Sequence, residues 1–284
     1  MRPSTYTLPL LVTLSTLPLM AGATQLHLFS LKDGKITSHQ TVTDAGGYNN
    51  QPAFTADSQG LLFSSDRAGG QMDIFHFDIA KTTLSNLTNT PEQSEFSPQP
   101  GQHGDEITYV VEQGVPHQSV WRQRLGQQPE RAVNSYIPAG YYAQRYGQGT
   151  LLWARYGYHL YFEPWGEQAD ERHFVSASVG RSLHPIPNSA EFSFLHKQVD
   201  GDWVIKGFHP DSGAIRPITA IDKASEDYSW DQQGRIWMGN GSELRRWDAE
   251  GQWQSVADLS EHGVTTIGRL AVSPDGRYLA IVGL

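Results

Sequence analysis

The hydrophobic residues of this chain fall into short runs that alternate with polar residues or are apolar throughout, separated by glycine, aspartate and asparagine. Residues 60–90 show the pattern: GLLFSSD, an AGG turn, DIFHFDI and LSNLTNT follow one another. Runs of this kind predict β-strands, and the separating residues predict tight turns. Together with the segment Pro52–Gly60, they predict a unit of four strands in roughly forty residues.

The unit recurs along the chain. Equivalent apolar positions are Phe63, Tyr109, Trp153, Phe194, Trp237 and Ala280, at steps of 41 to 46 residues. Less regular copies are predicted to begin at Ala143 and Pro185. A sheet of four short strands cannot bury both faces alone, so the units must stack on one another. A repeat of this length with four strands predicts a β-propeller, and six copies predict six blades.

The two ends of the chain complement each other. The last copy stops at Leu284 after two strands, RYLAIVG being the second, whereas residues 24–43 supply two more strands around an Asp33-Gly34 turn. The N-terminal strands would complete the C-terminal blade and leave no open sheet edge. We therefore predict an all-β fold: a six-bladed β-propeller of four-stranded blades, closed by its N-terminal strands.

The first 23 residues do not fit the repeat. Arg2 precedes an apolar run from Leu8 to Met20, and Ala21-Gly22-Ala23 supplies a small-x-small cleavage site. This order predicts a signal peptide at 1–23, cleaved after Ala23, and a single propeller domain at 24–284 in the periplasm. A buried N-terminal strand or helix is the alternative. No later apolar run is long enough to cross a membrane.

Composition narrows the possible functions. The net charge of −9 and the absence of a Lys/Arg cluster argue against nucleic acid as a partner. The chain contains no cysteine, which excludes thiolate catalysis, zinc–thiolate sites and iron–sulfur clusters. The sequence also lacks Gly-x-Ser-x-Gly, His-Glu-x-x-His and Walker motifs, so it predicts no catalytic residue. Gly239-Asn240-Gly241 lies between two predicted strands and predicts a hairpin turn.

We expect the protein to be a monomer.

Several segments resemble the propeller repeat of TolB and related periplasmic proteins. The matching residues are Pro52–Gly60, Phe63-Ser64-Ser65-Asp66-Arg67, Asp73-Ile74-Phe75, Leu87-Thr88 and Ser273-Pro274-Asp275-Gly276-Arg277. The resemblance implies a periplasmic propeller that binds a partner. The family also carries an α/β domain before its propeller, and we expect this chain to correspond to the propeller part alone. We expect Asp66 and Arg67 to order the Gly69-Gly70 loop rather than to catalyse a reaction.

The residues that begin the first strand of each blade should ring one mouth of the central channel. These candidate binding residues are Asn49, Asn50, Glu95, Tyr141, Tyr142, His184, Glu226, Asp227 and Arg269. Tyr156 and Tyr158 are further aromatic candidates. Among these residues, His184, Glu95, Glu226 and Asp227 could hold a divalent metal, although Arg269 would repel it and the histidines do not recur at one repeat position. No other cofactor is predicted.

Three functions are consistent with these observations. The leading hypothesis is a non-enzymatic module of the cell envelope that binds a periplasmic protein or peptide segment at the channel rim. The alternative is a propeller enzyme, a lyase or hydrolase acting on a sugar or lactone at a metal in the channel mouth. A structural ring bound to envelope polymer is the third. The fold by itself does not distinguish among them.

Overall fold

Six four-stranded antiparallel sheets form the protein in the computed structural model. The structure describes residues 23–44, 46–114, 117–166, 172–223, 225–248 and 250–284. Each sheet packs on its neighbours through its first strand, so the sheets follow one another around a ring. The six-bladed propeller predicted from the repeat is confirmed.

The blades are numbered in chain order. Blade 1 contains β3 (Asn49–Phe54), β4 (Gly60–Ser65), β5 (Asp73–Asp78) and β6 (Thr83–Asn86). Blade 2 contains β7 (Ser94–Pro100), β8 (Glu106–Glu112), β9 (Gln118–Arg124) and β10 (Glu130–Arg131). Blade 3 contains β11 (Ala139–Arg145), β12 (Gly149–Ala154), β13 (His159–Pro164) and β14 (His173–Ser176). Blade 4 contains β15 (Val179–Pro185), β16 (Phe192–His196), β17 (Trp203–Phe208) and β18 (Ile215–Ile221).

Blade 5 contains β19 (Tyr228–Trp230), β20 (Ile236–Asn240), β21 (Glu243–Trp247) and β22 (Trp253–Asp258), followed by a short 3-10 helix, Ser260–His262. Blade 6 contains β23 (Ile267–Val272), β24 (Tyr278–Gly283), β1 (Gln25–Lys32) and β2 (Lys35–Thr41). The 3-10 helix is the only helix among the described residues, and no helix there is long and apolar enough to cross a membrane. The predicted signal peptide lies outside the described residues, apart from Ala23.

The pairing of β1 with β24 closes the ring. Six residues of each strand pair antiparallel, from Gln25 opposite Gly283 to Ser30 opposite Tyr278. The backbone N–H of Leu31 extends this contact by donating to the carbonyl of Arg277. The prediction that N-terminal strands complete the last blade is confirmed.

Within the described residues, the hydrophobic core is divided into six clusters, and each cluster lies between two neighbouring blades. Between blades 3 and 4, for example, Leu151 and Phe162 pack with Phe192 and Phe194. The alternation of the strands explains this division, because each sheet has two faces and each face needs a neighbour to cover it.

Polar contacts reinforce each of the six interfaces. The donors and acceptors are Thr24 Oγ1 to Asn49 O (2.8 Å), Ser97 N to Gln51 Oε1 (2.8 Å), Gln99 Nε2 to Tyr142 O (2.8 Å), Arg145 Nη2 to Ile186 O (3.1 Å), Ser182 Oγ to Tyr228 O (3.1 Å) and Val272 N to Ser229 Oγ (3.3 Å). Apart from the bond of Thr24, which precedes β1, these bonds join first strands or the residues beside them, so they fix the wall of the central channel.

Asp66 and Arg67 order loops, as expected. The backbone N–H groups of Gly69 and Gly70 donate to the carbonyl oxygen of Asp66. The Asp66 carboxylate accepts from the backbone N–H of Tyr48 at 2.9 Å, and Arg67 Nη2 donates to Asn49 Oδ1 at 3.0 Å. The turn therefore secures the link through which the chain passes from blade 6 into blade 1.

Two blades begin earlier than the sequence pattern predicts. The first strands of blades 3 and 4 start at Ala139 and Val179 rather than near Ala143 and Pro185. Both strands have glycine as their second residue, followed by a large polar side chain, which weakens the alternation. Glycine is needed here, because a Cβ at Gly140 or Gly180 would lie 2.9 Å from the side chain of Trp153 or Leu195.

A histidine pair lies on the closing strands. His27 of β1 is buried, and its Nδ1 lies 3.0 Å from Nε2 of His39 on β2. His262 packs against His39, with ring centroids 4.7 Å apart. Burial, and secondarily the two neighbouring histidines, lowers the pKa of His27 to about 4. The folded protein therefore favours the neutral form of His27.

This pair makes stability depend on pH. Because the folded pKa of His27 lies below its ordinary value of 6.5, its contribution is complete above pH 6.5 and is lost as the pH falls toward 4. Relative to His27→Gln, the wild-type free energy of unfolding should fall by on the order of 2 kcal/mol across this window. Denaturant unfolding at several pH values measures it. His103→Gln, at an exposed site, is the control, and parallel curves for wild type and His27→Gln would contradict the prediction.

Candidate binding site in the central channel

The first strands of all six blades surround a central cavity of about 1190 Å³. These strands all run in the same direction along the axis of the ring. Their first residues therefore meet at one mouth of the cavity and their last residues at the other. The first mouth is also the side on which each blade is linked to the next. We call it the link-side mouth. Its polar side chains come mainly from blades 3, 4, 5 and 6.

Two arginines share one aspartate at the link-side mouth. Two nitrogen atoms of Arg181 donate to Asp227 Oδ2, Nη2 at 2.6 Å and Nε at 3.1 Å. Arg269 Nη1 lies 3.5 Å from Asp227 Oδ1, and its Nη2 donates to the Tyr141 hydroxyl at 2.9 Å. The Arg269 guanidinium also lies over the Tyr141 ring, 5.0 Å from its centroid. Four blades thus contribute to one network, the mouth cluster.

The backbone explains how these side chains come together. Tyr141, Arg181 and Arg269 are each the third residue of their strand, after Ala139-Gly140, Val179-Gly180 and Ile267-Gly268. The strand register is irregular after the first pair in all three strands. Such an irregularity redirects the side chains that follow it. The same strand position therefore presents Tyr, Arg and Arg to the channel in three blades.

Burial shapes the electrostatics of the mouth cluster. Desolvation alone would lower the pKa of Arg181 and of Arg269, but the Asp227 carboxylate outweighs it and raises the pKa of both guanidinium groups. Both therefore stay charged at neutral pH. Burial raises the pKa of Tyr48 to about 12, and Arg269 acts in the opposite direction, which places Tyr48 within range of this charge.

His184 lines the channel deeper along β15. Its Nε2 lies 3.0 Å from Ser182 Oγ, and its ring meets Tyr228 edge-on with centroids 4.9 Å apart. Burial lowers the pKa of His184 to about 4, so the imidazole is neutral at neutral pH. A neutral imidazole can accept a proton or ligate a metal.

Three other predicted residues have structural contacts. Asn49 is fully buried and joins the first and last blades through Thr24. The side-chain oxygen of Asn50 accepts from the backbone N–H of Gln51 at 2.8 Å. Tyr142 is buried between blades 2 and 3, where its hydroxyl donates to Thr108 Oγ1 at 2.7 Å.

The two predicted glutamates are not among the residues that line the channel. Glu95 is fully buried and accepts hydrogen bonds from Thr88 and Thr90. Glu226 forms an ion pair with Lys197. Of the four predicted metal ligands, only His184 and Asp227 therefore line the channel, and no group of three His, Asp or Glu side chains among the described residues could hold a metal ion.

Sequence reasoning missed Arg181 and Tyr48. The sequence pattern predicts that blade 4 begins at Pro185, with His184 as the residue that enters it, and therefore does not point to Arg181. The Gly-Arg pair shared with Gly268-Arg269 is the signal that could have identified it. Tyr48 precedes β3 by one residue, and no repeat signal marks it.

Exposed aromatic residues extend the link-side mouth outward. Tyr156 and Tyr158 lie in the turn after β12, whose last residue, Ala154, pairs with the first residue of β11. Tyr141 meets Trp153 edge-on, and Trp153 meets Tyr158 in the same way, each pair with centroids 5.3 Å apart. A continuous aromatic path therefore joins the channel to the exposed surface of blade 3.

Comparison with known proteins shows which solved structures share this fold. No family model and no curated protein matches the chain. Among solved structures, it is similar to a protein assigned as TolB from Agrobacterium tumefaciens, with TM-score 0.69 and 12% identity over 92% of this chain and 98% of the other. TolB from Acinetobacter baumannii gives TM-score 0.57 and 12% identity over 93% of this chain. The match covers 64% of that TolB.

A gluconolactonase from Xanthomonas campestris is also similar, with TM-score 0.61 and 14% identity over 86% of this chain and 88% of the other. Identities this low show a shared fold alone. The chain has the six-bladed fold of TolB propellers, which confirms the resemblance found in the sequence, and the same fold also occurs in an enzyme.

The burial of Glu95 leads to a second prediction about pH. Burial raises the pKa of Glu95 to about 7, although the hydrogen bonds from Thr90 and Thr88 oppose this. Because the folded pKa lies above its ordinary value of 4.5, the stability it contributes is present below pH 4.5 and is lost as the pH rises through 7. Compared with Glu95→Gln, the wild type should lose about 2 kcal/mol between these limits.

Thermal or denaturant unfolding from pH 4.5 to 8 measures this difference. Glu92→Gln provides a matched control, since Glu92 is exposed and lies on the same loop before β7. A wild type that becomes more stable relative to Glu95→Gln as the pH rises would show that Glu95 is ionised in the fold.

Proposed function

We propose that this protein is an exported binding module of the cell envelope, and that its central channel receives a peptide or protein segment through the link-side mouth. The observation that carries the proposal is the channel itself. Its volume of about 1190 Å³ is above the usual range of roughly 300–1,000 Å³ for small-molecule pockets. A channel of this size has room for several residues of a partner.

The chemistry of the lining supports the same proposal. Arginine and aromatic side chains are the residues that most often anchor protein interfaces. The channel presents Arg181, Arg269, Tyr141 and Trp230, and the exposed Tyr156 and Tyr158 lie beside its mouth. A segment that enters the channel would therefore leave the rest of its protein against an aromatic surface. The resemblance to TolB propellers, together with the predicted signal peptide, supports a periplasmic location.

A second candidate is an enzyme that acts on a sugar or lactone with a divalent metal. The likeness in fold to the gluconolactonase favours it, and His184 and Asp227 both line the channel. This candidate predicts that the purified protein contains a stoichiometric metal that His184→Ala removes. Elemental analysis and a thermal shift series with Ca²⁺, Mn²⁺ and Zn²⁺ test it independently of any activity.

The binding proposal predicts that peptides selected from a random display library on the purified protein will occupy the channel. Ala53 and Ala271 line the channel in blades 1 and 6 and are half-buried. Tryptophan at either position should obstruct it and weaken binding of the selected peptides by about tenfold or more. Fluorescence anisotropy of a labelled peptide gives the affinities.

Ser255→Trp is the matched control, because Ser255 is exposed on the outer strand β22. Its affinity for the selected peptides should equal that of the wild type. Circular dichroism and melting temperature verify that each variant is folded. Equal peptide affinities for the wild type and both folded channel variants would contradict the proposal.

A further inference from the structure

The mouth cluster has one more positive than negative charge. Arg181 and Arg269 both contact Asp227, and the Asp227 side chain is only 6% exposed. The two contacts are unequal, since Arg181 donates to both carboxylate oxygens, to Oδ2 at 2.6 and 3.1 Å and to Oδ1 at 3.3 Å, whereas Arg269 reaches only Oδ1, at 3.5 Å. The stronger partner of Arg269 is the neutral Tyr141 hydroxyl, which does not balance its charge.

Burial makes this imbalance costly. The Arg269 side chain is 13% exposed. A buried charge without its own counter-ion is strongly destabilising, so buried ions are normally paired. A cation held in this way at the mouth of a channel can bind an anionic group of a ligand.

The neighbouring charges do not supply that anion. Glu226 precedes Asp227 in the chain and its charge acts on Arg181, but it pairs with Lys197 and is not a lining residue. Asp211 lies in the turn between β17 and β18, which belongs to the opposite mouth. Arg145 is also near the opposite mouth, where it donates to backbone carbonyls of residues 186–191. Among the described lining residues, Asp227 is therefore the one carboxylate at the link-side mouth.

We infer that the link-side mouth binds a carboxylate group of the ligand at Arg269 and Arg181. A carboxylate fits in shape, because its two oxygens match the planar fork of donors on a guanidinium group. It also fits in charge, because one carboxylate neutralises the single surplus charge. This inference deepens the proposed function, since it concerns the group by which an inserted segment would be held.

The carboxylate could belong to a peptide or to an acidic sugar. The peptide source is a C-terminus or an Asp or Glu side chain, and the sugar source is a uronate. The chemistry at the arginines is the same in both cases, so the two sources are distinguished by the probe rather than by the site.

Calorimetric titration of the purified full-length protein provides the test. The probes are N-acetyl-Ala-Ala with a free C-terminus, the same dipeptide as its C-terminal amide, and glucuronate. We expect a free carboxylate to bind at least about tenfold more tightly than the amide. Tighter binding of the dipeptide acid indicates a peptide source, and tighter binding of glucuronate indicates a sugar source. Failure of every carboxylate to bind better than the amide would overturn the inference.

Variants locate the bound group. Arg269→Gln should weaken carboxylate binding by about tenfold or more, and Arg269→Lys should weaken it less, because lysine keeps the charge but loses the fork. Asp227→Asn should strengthen it, because the competing internal carboxylate is gone. Arg277→Gln, which removes an exposed arginine at the opposite mouth, should have no effect. If Arg269→Gln does not fold, Arg269→Lys and Asp227→Asn make the same test.

The two proposals can fail separately. If selected peptides occupy the channel but bind equally with and without carboxylates, the binding function stands and the carboxylate site is wrong. If small carboxylates bind in an Arg269-dependent manner but no peptide enters the channel, the site stands and the peptide-binding function is wrong.

Discussion

The antiparallel pairing of β1 with β24 is the contact on which the rest of the structure depends. It joins the two ends of the chain into one sheet and thereby gives blade 6 four strands. Without it, blades 5 and 1 would each lose part of the surface that covers one face, since the clusters on both sides of blade 6 include residues of β1. Because the core consists of six clusters between blades, a single open interface would expose apolar surface and a free sheet edge at once.

The channel is a consequence of this closure. Six first strands meet around the axis and leave a cavity instead of a packed centre, and hydrogen bonds between neighbouring strands fix its wall. At one mouth, Gly140 and Gly180, which precede Tyr141 and Arg181, allow close packing of the strand while the third residue faces inward. Stability requirements thus set the backbone, and the side chains at that repeated position are the ones proposed to contact a ligand.

Much of the fold follows from the sequence because repeats amplify a weak local signal. One four-strand unit is ambiguous, but equivalent positions at Phe63 and Tyr109 and their later copies establish the blades and the closure. The residues of the candidate site were harder to predict from the sequence than the fold. Tyr141, Asp227 and Arg269 were identified from their place at the start of a strand, and they do converge. Arg181 was missed because its strand starts with Val-Gly and lacks clear alternation. Glu95 and Glu226 also start or precede a first strand, but neither lines the channel: Glu95 bonds to Thr90 in the link before its own strand, and Glu226 pairs with Lys197 of the neighbouring blade. The contact between Glu226 and Lys197 is one that no local pattern reveals.

The central claim is that the channel, and not the outer surface of the ring, receives the ligand. Hydroxyl-radical footprinting of the protein with and without a bound partner peptide tests it most directly. The reactive side chains to compare are Tyr141 and Trp230 in the channel with Phe174 and Ile215, which are exposed on outer strands. The account predicts that binding protects Tyr141 and Trp230 and leaves Phe174 and Ile215 unchanged. Protection of Phe174 or Ile215, with Tyr141 and Trp230 as reactive as in the free protein, would contradict it.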